Sequence, residues 1–199
     1  MISLDAAREI ITNTYSYYES INPTMNNDEQ WLLPPFDLTS GFPENCLAEI
    51  KAFYAYWDRQ RGSRLMPRRQ DIDPIDLKHY LAGMLLIDIE GVNDDGTGIY
   101  RYRVVGTTEV ENRNHDPTGK LIQDGYFAGS LEEALRSYES ARIQKCCIFE
   151  TLDFITEKGT RQKEQSIILP LSENGADVSQ LIVFSKRAGA PNTHRWLTR

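Results

Sequence analysis

The feature that most limits what this chain can fold into is a change of hydrophobic period near residue 83. Ahead of it, apolar residues recur at helical spacing. Behind it come short apolar or alternating runs separated by turn residues. Gly83–Ile89 is an apolar run, and Tyr100–Val105 alternates aromatic or aliphatic residues with charged ones. Asp94-Asp95-Gly96 lies between them and is a strong turn signal, so the two runs predict an antiparallel hairpin. Residues 107–126 hold Asn114, Asp116-Pro117, Gly119 and Gly125 and read as short helical turns and loops. A helix follows from about Ser130 to Gln144. Ser130 caps it, Glu132 and Glu133 sit in its first turn, and Leu131, Leu135 and Tyr138 form its stripe. Strands are expected over Cys147–Thr156, Thr160–Leu171 and Val178–Lys186, joined at Lys158-Gly159 and Asn174-Gly175. A two-strand hairpin and a three-strand meander are each unstable alone. They must share one five-stranded antiparallel sheet in an α+β fold, with the intervening helices on one face. Such a sheet leaves a cup between the layers, where a small molecule would sit.

Upstream, Ser3 can cap a helix running from Leu4 toward Ser20, with Leu4, Ala7, Ile11, Tyr15 and Tyr18 as its apolar stripe. Asn22-Pro23, Pro34-Pro35 and Gly41-Phe42-Pro43 then break regularity. A second helix fits Leu47 to about Gln60, with Leu47, Ile50, Tyr54 and Trp57 on one side, Phe53 flanking, and Gly62 as its stop. In Ile72-Asp73-Pro74, Asp73 can be the N-cap and Pro74 the first residue of a helix to Leu81. The expected organisation is therefore a helix and irregular arm over 1–46, a helical lead-in over 47–82, a core over 83–187 and a tail over 188–199.

Composition removes several functions. The 199 residues carry 22 Lys+Arg against 29 Asp+Glu, a net charge of −7. A phosphate backbone needs a basic footprint, so no nucleic acid is expected as partner. The basic strip Lys51, Arg59, Arg61, Arg64, Arg68 and Arg69 is either paired internally or contacts an anion or a partner. Met84-Leu85-Leu86-Ile87 is the longest aliphatic block. It falls far short of the roughly 18 apolar residues of a spanning helix. Met1-Ile2-Ser3-Leu4-Asp5 lacks the basic and apolar regions of a signal peptide. A cytoplasmic protein that does not engage a membrane is expected. The three cysteines, Cys46 and the neighbours Cys146-Cys147, have no C-x-x-C spacing and are expected to be reduced thiols. No Gly-x-Ser-x-Gly, Walker-type loop or His-Glu-x-x-His is present. His79, His115 and His194 are scattered, so no metal site is expected.

Several words occur in order: Tyr56-Trp57, Arg61-Gly62, Met66-Pro67-Arg68, Ile72-Asp73-Pro74, Leu85-Leu86-Ile87-Asp88, Tyr102-Arg103-Val104-Val105-Gly106-Thr107 and Asp116-Pro117-Thr118-Gly119. Together with the element order, this set resembles the bacterial family of stand-alone PAS-like domains, over about residues 47–187. The resemblance implies a non-enzymatic sensory or protein-interaction module of bacterial signalling. It also implies an α+β cup able to hold a small molecule, and a second signalling protein as partner. Flavin-bearing light sensors of that kind use an Asn-Cys-Arg word. The local text here, Glu111-Asn112-Arg113-Asn114-His115, has no cysteine for an adduct. Neither flavin nor haem is expected as cofactor, although His115 stands where an axial ligand could point inward.

The candidate ligand-binding residues are Arg103, Thr107, His115, Tyr126, Phe127 and Tyr138. Arg101 and Arg103 alternate with Tyr100 and Tyr102 and share a sheet face. Facing the cup, they would bind a carboxylate or phosphate bidentately. Facing outward, Arg103 would make an ion pair with Asp73 or Asp88, or meet a second subunit. Thr107, Tyr126, Phe127 and Tyr138 are either pocket lining or plain core. The Ile- and Tyr-rich N-terminal stripe points to a buried mate and hence a homodimer. Two other readings stand beside the sensor. One is an enzyme with a site built from Arg103, His115 and a carboxylate; the other is a structural subunit whose cup its own side chains fill.

Overall fold

A computed structural model describes Leu32 and residues 41–126, 130–155 and 161–187. Its contacts divide the chain into two units, Met1–Leu33 and Pro34–Arg199. Leu32 apart, every described residue belongs to the second. The helix expected over 4–20, the Lys158-Gly159 turn and the tail at 188–199 lie outside the described residues.

The second unit opens with α1 (Ala48–Arg61), which ends where Gly62 turns to φ +57°. Next come β1 (Met84–Val92) and β2 (Gly98–Val105), then α2 (Thr107–Arg113) and α3 (Ile122–Gly125). The longer α4 (Leu131–Gln144) leads into β3 (Ile148–Ile155), β4 (Arg161–Leu171) and β5 (Gln180–Arg187). The five strands form one sheet of order β2-β1-β5-β4-β3. Every neighbouring pair is antiparallel, as the element order requires. The Ser130 hydroxyl accepts from the Glu133 backbone N–H and caps α4. Asp95 in the first hairpin turn accepts from the Thr97 backbone and hydroxyl, which holds the expected turn closed.

The register sorts side chains onto two faces, since paired residues point the same way. Tyr100, Tyr102, Ile87, Val183, Ile168 and Ile148 share one face, which α2, α3 and α4 cover. Met84, Leu86, Ile182, Phe184 and Ile167 share the other. α1 packs there: Phe53 stacks on Phe184 at 5.0 Å between centroids, and the Trp57 indole donates to the Pro170 carbonyl at 3.0 Å. The core helices thus sit on one face, and the lead-in helix covers the opposite one.

Two local readings change. The buried side of α1 is Ile50, Phe53, Tyr56 and Trp57, while Tyr54 is half-buried and Leu47 precedes the helix. Residues 74–80 form turns and not a helix. Asp73 still caps the backbone N–H of Ile75, but the turn bonds behind it stretch to 3.4 Å. The chain there follows the sheet edge closely, with Gly106 pressed against the Leu81 and Ala82 carbonyls.

Candidate functional site

The covered inner face carries polar and charged side chains, most of them half-buried. β4 and β5 place Glu164, Ser166, Ser185 and Arg187 on it, and β3 adds Glu150. Above them α2 carries Glu109, Asn112 and Arg113, and α4 carries Ser137 and Tyr138. The polar groups pair across the cup. Arg113 Nη1 donates to both the backbone carbonyl and Oε2 of Glu109, at 2.8 and 2.6 Å, and this pair is buried. Arg187 donates to Glu164 at 3.4 Å and to Asn112 at 2.9 Å, tying β5 to β4 and α2. The Ser137 hydroxyl donates to Glu150, and those of Ser166 and Ser185 pair at 2.8 Å.

Aromatic rings surround this network. The Arg113 guanidinium lies over the Tyr102 ring at 5.8 Å, and Tyr100 meets Tyr138 at 5.6 Å between centroids. Burial raises the Tyr138 hydroxyl well above its ordinary value, and the neighbouring Tyr102, Tyr126 and Glu150 raise it further. Burial likewise pushes Tyr126 up to about 12. Burial is also the main reason Glu150 and Glu164 rise, opposed at Glu150 by the Ser137 hydrogen bond and at Glu164 by Arg187. The Tyr102 hydroxyl and the Arg113 guanidinium face one another, and the Tyr100 hydroxyl lies beside Glu139 and Arg142.

The structure separates the residues expected at the site. Tyr138 lies in the cup, and Tyr126 is half-buried beside it; Phe127 lies outside the described residues. Arg103 does not reach the cup. It is the extra residue of a β-bulge between the Leu86–Val104 and Ile87–Tyr102 pairs, 68% exposed and 4.0 Å from Asp88. Arg101 is held by Glu90 through two bonds, at 2.6 and 2.9 Å. Thr107 is exposed at the start of α2, and exposed His115 bonds the Arg113 carbonyl through Nδ1. Arg103, His115 and a carboxylate therefore do not converge in one pocket.

Sequence reasoning passed over Tyr102, Glu109, Arg113, Glu150, Glu164 and Arg187. Two signals were present. Glu109 and Arg113 stand at i,i+4 on a short helix, and serines and charged residues fall on one side of β4 and β5.

A separate apolar cavity of about 140 Å³ opens on the outer face. Ile72, Leu77, Leu81, Met84, Leu86, Val104 and Ile182 line it, with Arg69 at its edge. Among the described residues no group of three or more His, Cys, Asp or Glu could hold a metal ion, and no helix is long and apolar enough to cross a membrane. Cys46 and Cys147 are buried, and all three cysteines are free. Burial pushes the Cys146 thiol up to about 11 and raises that of Cys147 as well, which disfavours thiolate chemistry at the pair.

A five-stranded antiparallel sheet of order 2-1-5-4-3, cupped under helices on one face, defines a class of small α+β cup domains. The particular family follows from the sequence: the PAS domain model matches residues 47–183, and the chain belongs to that family. No curated protein matches it. Among solved structures it is similar to the PAS domain of Bordetella pertussis BvgS, at 14% identity and TM-score 0.42, over 59% of this chain and 88% of that one. It is also similar to the Rhodobacter sphaeroides LOV protein, at 8% identity and TM-score 0.39, over 59% and 70%. A variant of Vivid matches at 11% identity and TM-score 0.40, over 68% and 92%.

Proposed function

We propose that the protein is a non-enzymatic, cytoplasmic PAS-type module of bacterial signalling that takes a small molecule in the cup and works as a homodimer with a second signalling protein as partner. PAS membership supports a sensory role. The observation that carries the ligand reading is the polar interior of the cup. Burying charge costs more than burying hydrocarbon of the same volume, so a core meant only to fill itself gains nothing from the buried Glu109–Arg113 pair or from the half-buried Glu164–Arg187 and Ser137–Glu150 contacts. A polar interior with aromatic walls suits an organic ligand that needs orienting groups. The pairs also link the strands facing the ligand to α2, giving a route by which an occupied cup alters the outer surface. The scattering of Arg103 and His115 away from the cup argues against the enzymatic alternative. Native mass spectrometry with an absorbance scan of freshly purified protein tests the reading. A mass excess that disappears on denaturation is expected; a chain that is always ligand-free and binds nothing offered from a host extract would refute it.

A further inference from the structure

The apolar cavity on the outer sheet face can receive a ligand of its own, independently of the cup on the opposite face. Leu86, Val104 and Ile182 of the sheet form its floor, and Ile72 and Leu77 of the preceding turns close over them. It opens to solvent past Leu81 and Val104, which line it yet stay 36 and 40% exposed. A hollow lined by hydrocarbon offers water no hydrogen-bond partners, and its walls forfeit packing contacts while it is unfilled. Its volume is about 140 Å³. An apolar cavity of roughly 150 Å³ admits benzene, so a single ring or a short branched alkyl group fits this one.

One charged group stands at the mouth. Arg69 is half-buried there, and its Nη1 donates to the Ile72 carbonyl at 3.0 Å, which holds the guanidinium beside the cavity wall. Its other guanidinium N–H groups have no partner among the described residues. The neighbouring carboxylates are engaged elsewhere. Asp71 pairs with Arg64 and accepts from the Arg68 backbone N–H, each at 2.8 Å. Asp73 accepts from the Ile75 backbone at 2.8 Å, and Glu173 takes the Arg69 backbone N–H at 3.2 Å, not its side chain. A fork of unengaged N–H donors beside a hydrocarbon hollow complements a carboxylate on an apolar body. A cationic ligand would meet the guanidinium as a like charge, and an uncharged one would leave it to water. We propose that this cavity binds a small carboxylate bearing one ring or a short branched chain, with the apolar body inside and the carboxylate paired with Arg69.

The probes are phenylacetate, phenylacetamide and phenethylamine, which share a ring and differ in the charge of the polar end. Each is titrated into the isotope-labelled full chain while the backbone amide shifts of Arg69, Leu77, Leu86, Val104 and Ile182 are followed, with Arg113 and Tyr138 reporting on the cup. Phenylacetate is expected to shift the first set saturably, with the amide about tenfold weaker and the amine weaker still. Arg69→Gln removes the charge and leaves the hollow. It should weaken phenylacetate about tenfold, to the level of the amide, and leave the amide's own affinity nearly unchanged. Val104→Phe fills the hollow from its rim, so it should abolish binding of both without lowering the melting temperature. No shift of the first set with phenylacetate overturns the proposal. So does the amide or amine binding as tightly as the carboxylate, or either variant binding phenylacetate undiminished. Shifts confined to Arg113 and Tyr138 overturn this site and support the cup instead.

Discussion

At the residue scale, two glycines mark where the backbone must approach closely, one of them, Gly106, in a family word. A Cβ on Gly106 would lie 2.2 Å from the Leu81 carbonyl oxygen and 2.4 Å from that of Ala82. Those are backbone atoms between the outer-face turns and the start of α2, so they cannot rotate away. Gly106→Ala should cost about 1–3 kcal/mol in urea denaturation, the range of overpacked sites. At Gly125 a Cβ would lie 2.6 Å from Pro117 and 3.1 Å from the Tyr102 ring, so the glycine lets α3 close over the cup. A second residue-scale prediction concerns Glu150. Its folded pKa is raised above the ordinary 4.5, chiefly by burial. A raised carboxyl contributes fully below its unfolded value and loses that contribution as pH rises through the folded one. Glu150→Gln, which retains an acceptor for Ser137, should therefore melt higher than the parent at pH 7.5. The gap should narrow as pH falls toward 4.5, as followed by thermal scans; an equal gap at every pH would contradict the shift.

At the element scale, how α1 and α4 are held separates what the sequence disclosed from what it hid. Both helices, all five strands and the hairpin turn at Asp94-Asp95-Gly96 were legible, because periodicity, caps and turn residues are local signals. The turns at 74–80 were misjudged as a helix. The Asp-Pro start is a genuine cap, but docking along the sheet edge overrode the propensity behind it. The α1 stripe was displaced by one flank because the opposite wall is Phe184 and Pro170, which no local pattern names. The site was the least legible part. Alternation in β2 correctly put Arg101 and the tyrosines on opposite faces, but the bulge at Arg103 and the identity of the covered face depend on pairing. Trp57→Phe keeps the ring packing and leaves the Pro170 carbonyl without its indole donor. It should cost about 1–2 kcal/mol in denaturant unfolding. Ser130→Ala removes the α4 cap and should cost about 1 kcal/mol, also read by denaturant unfolding.

At the scale of the whole molecule, the sheet has an apolar outer face carrying α1 and a polar inner face under α2–α4. Hydrocarbon burial on the outside stabilises the fold, and on the proposed reading the charged pairs on the inside orient a ligand in the cup. Leu65, Ile75 and Val104 remain exposed at 56, 74 and 40%, as apolar surface available to a mate. A homodimer is expected in sedimentation at micromolar concentration, and a clean monomer there would count against it. The central claim is tested most directly by an experimental structure of the protein as purified from its host. The account predicts density for a small organic molecule in the cup between the sheet and α2–α4. A cup closed by its own side chains would contradict it.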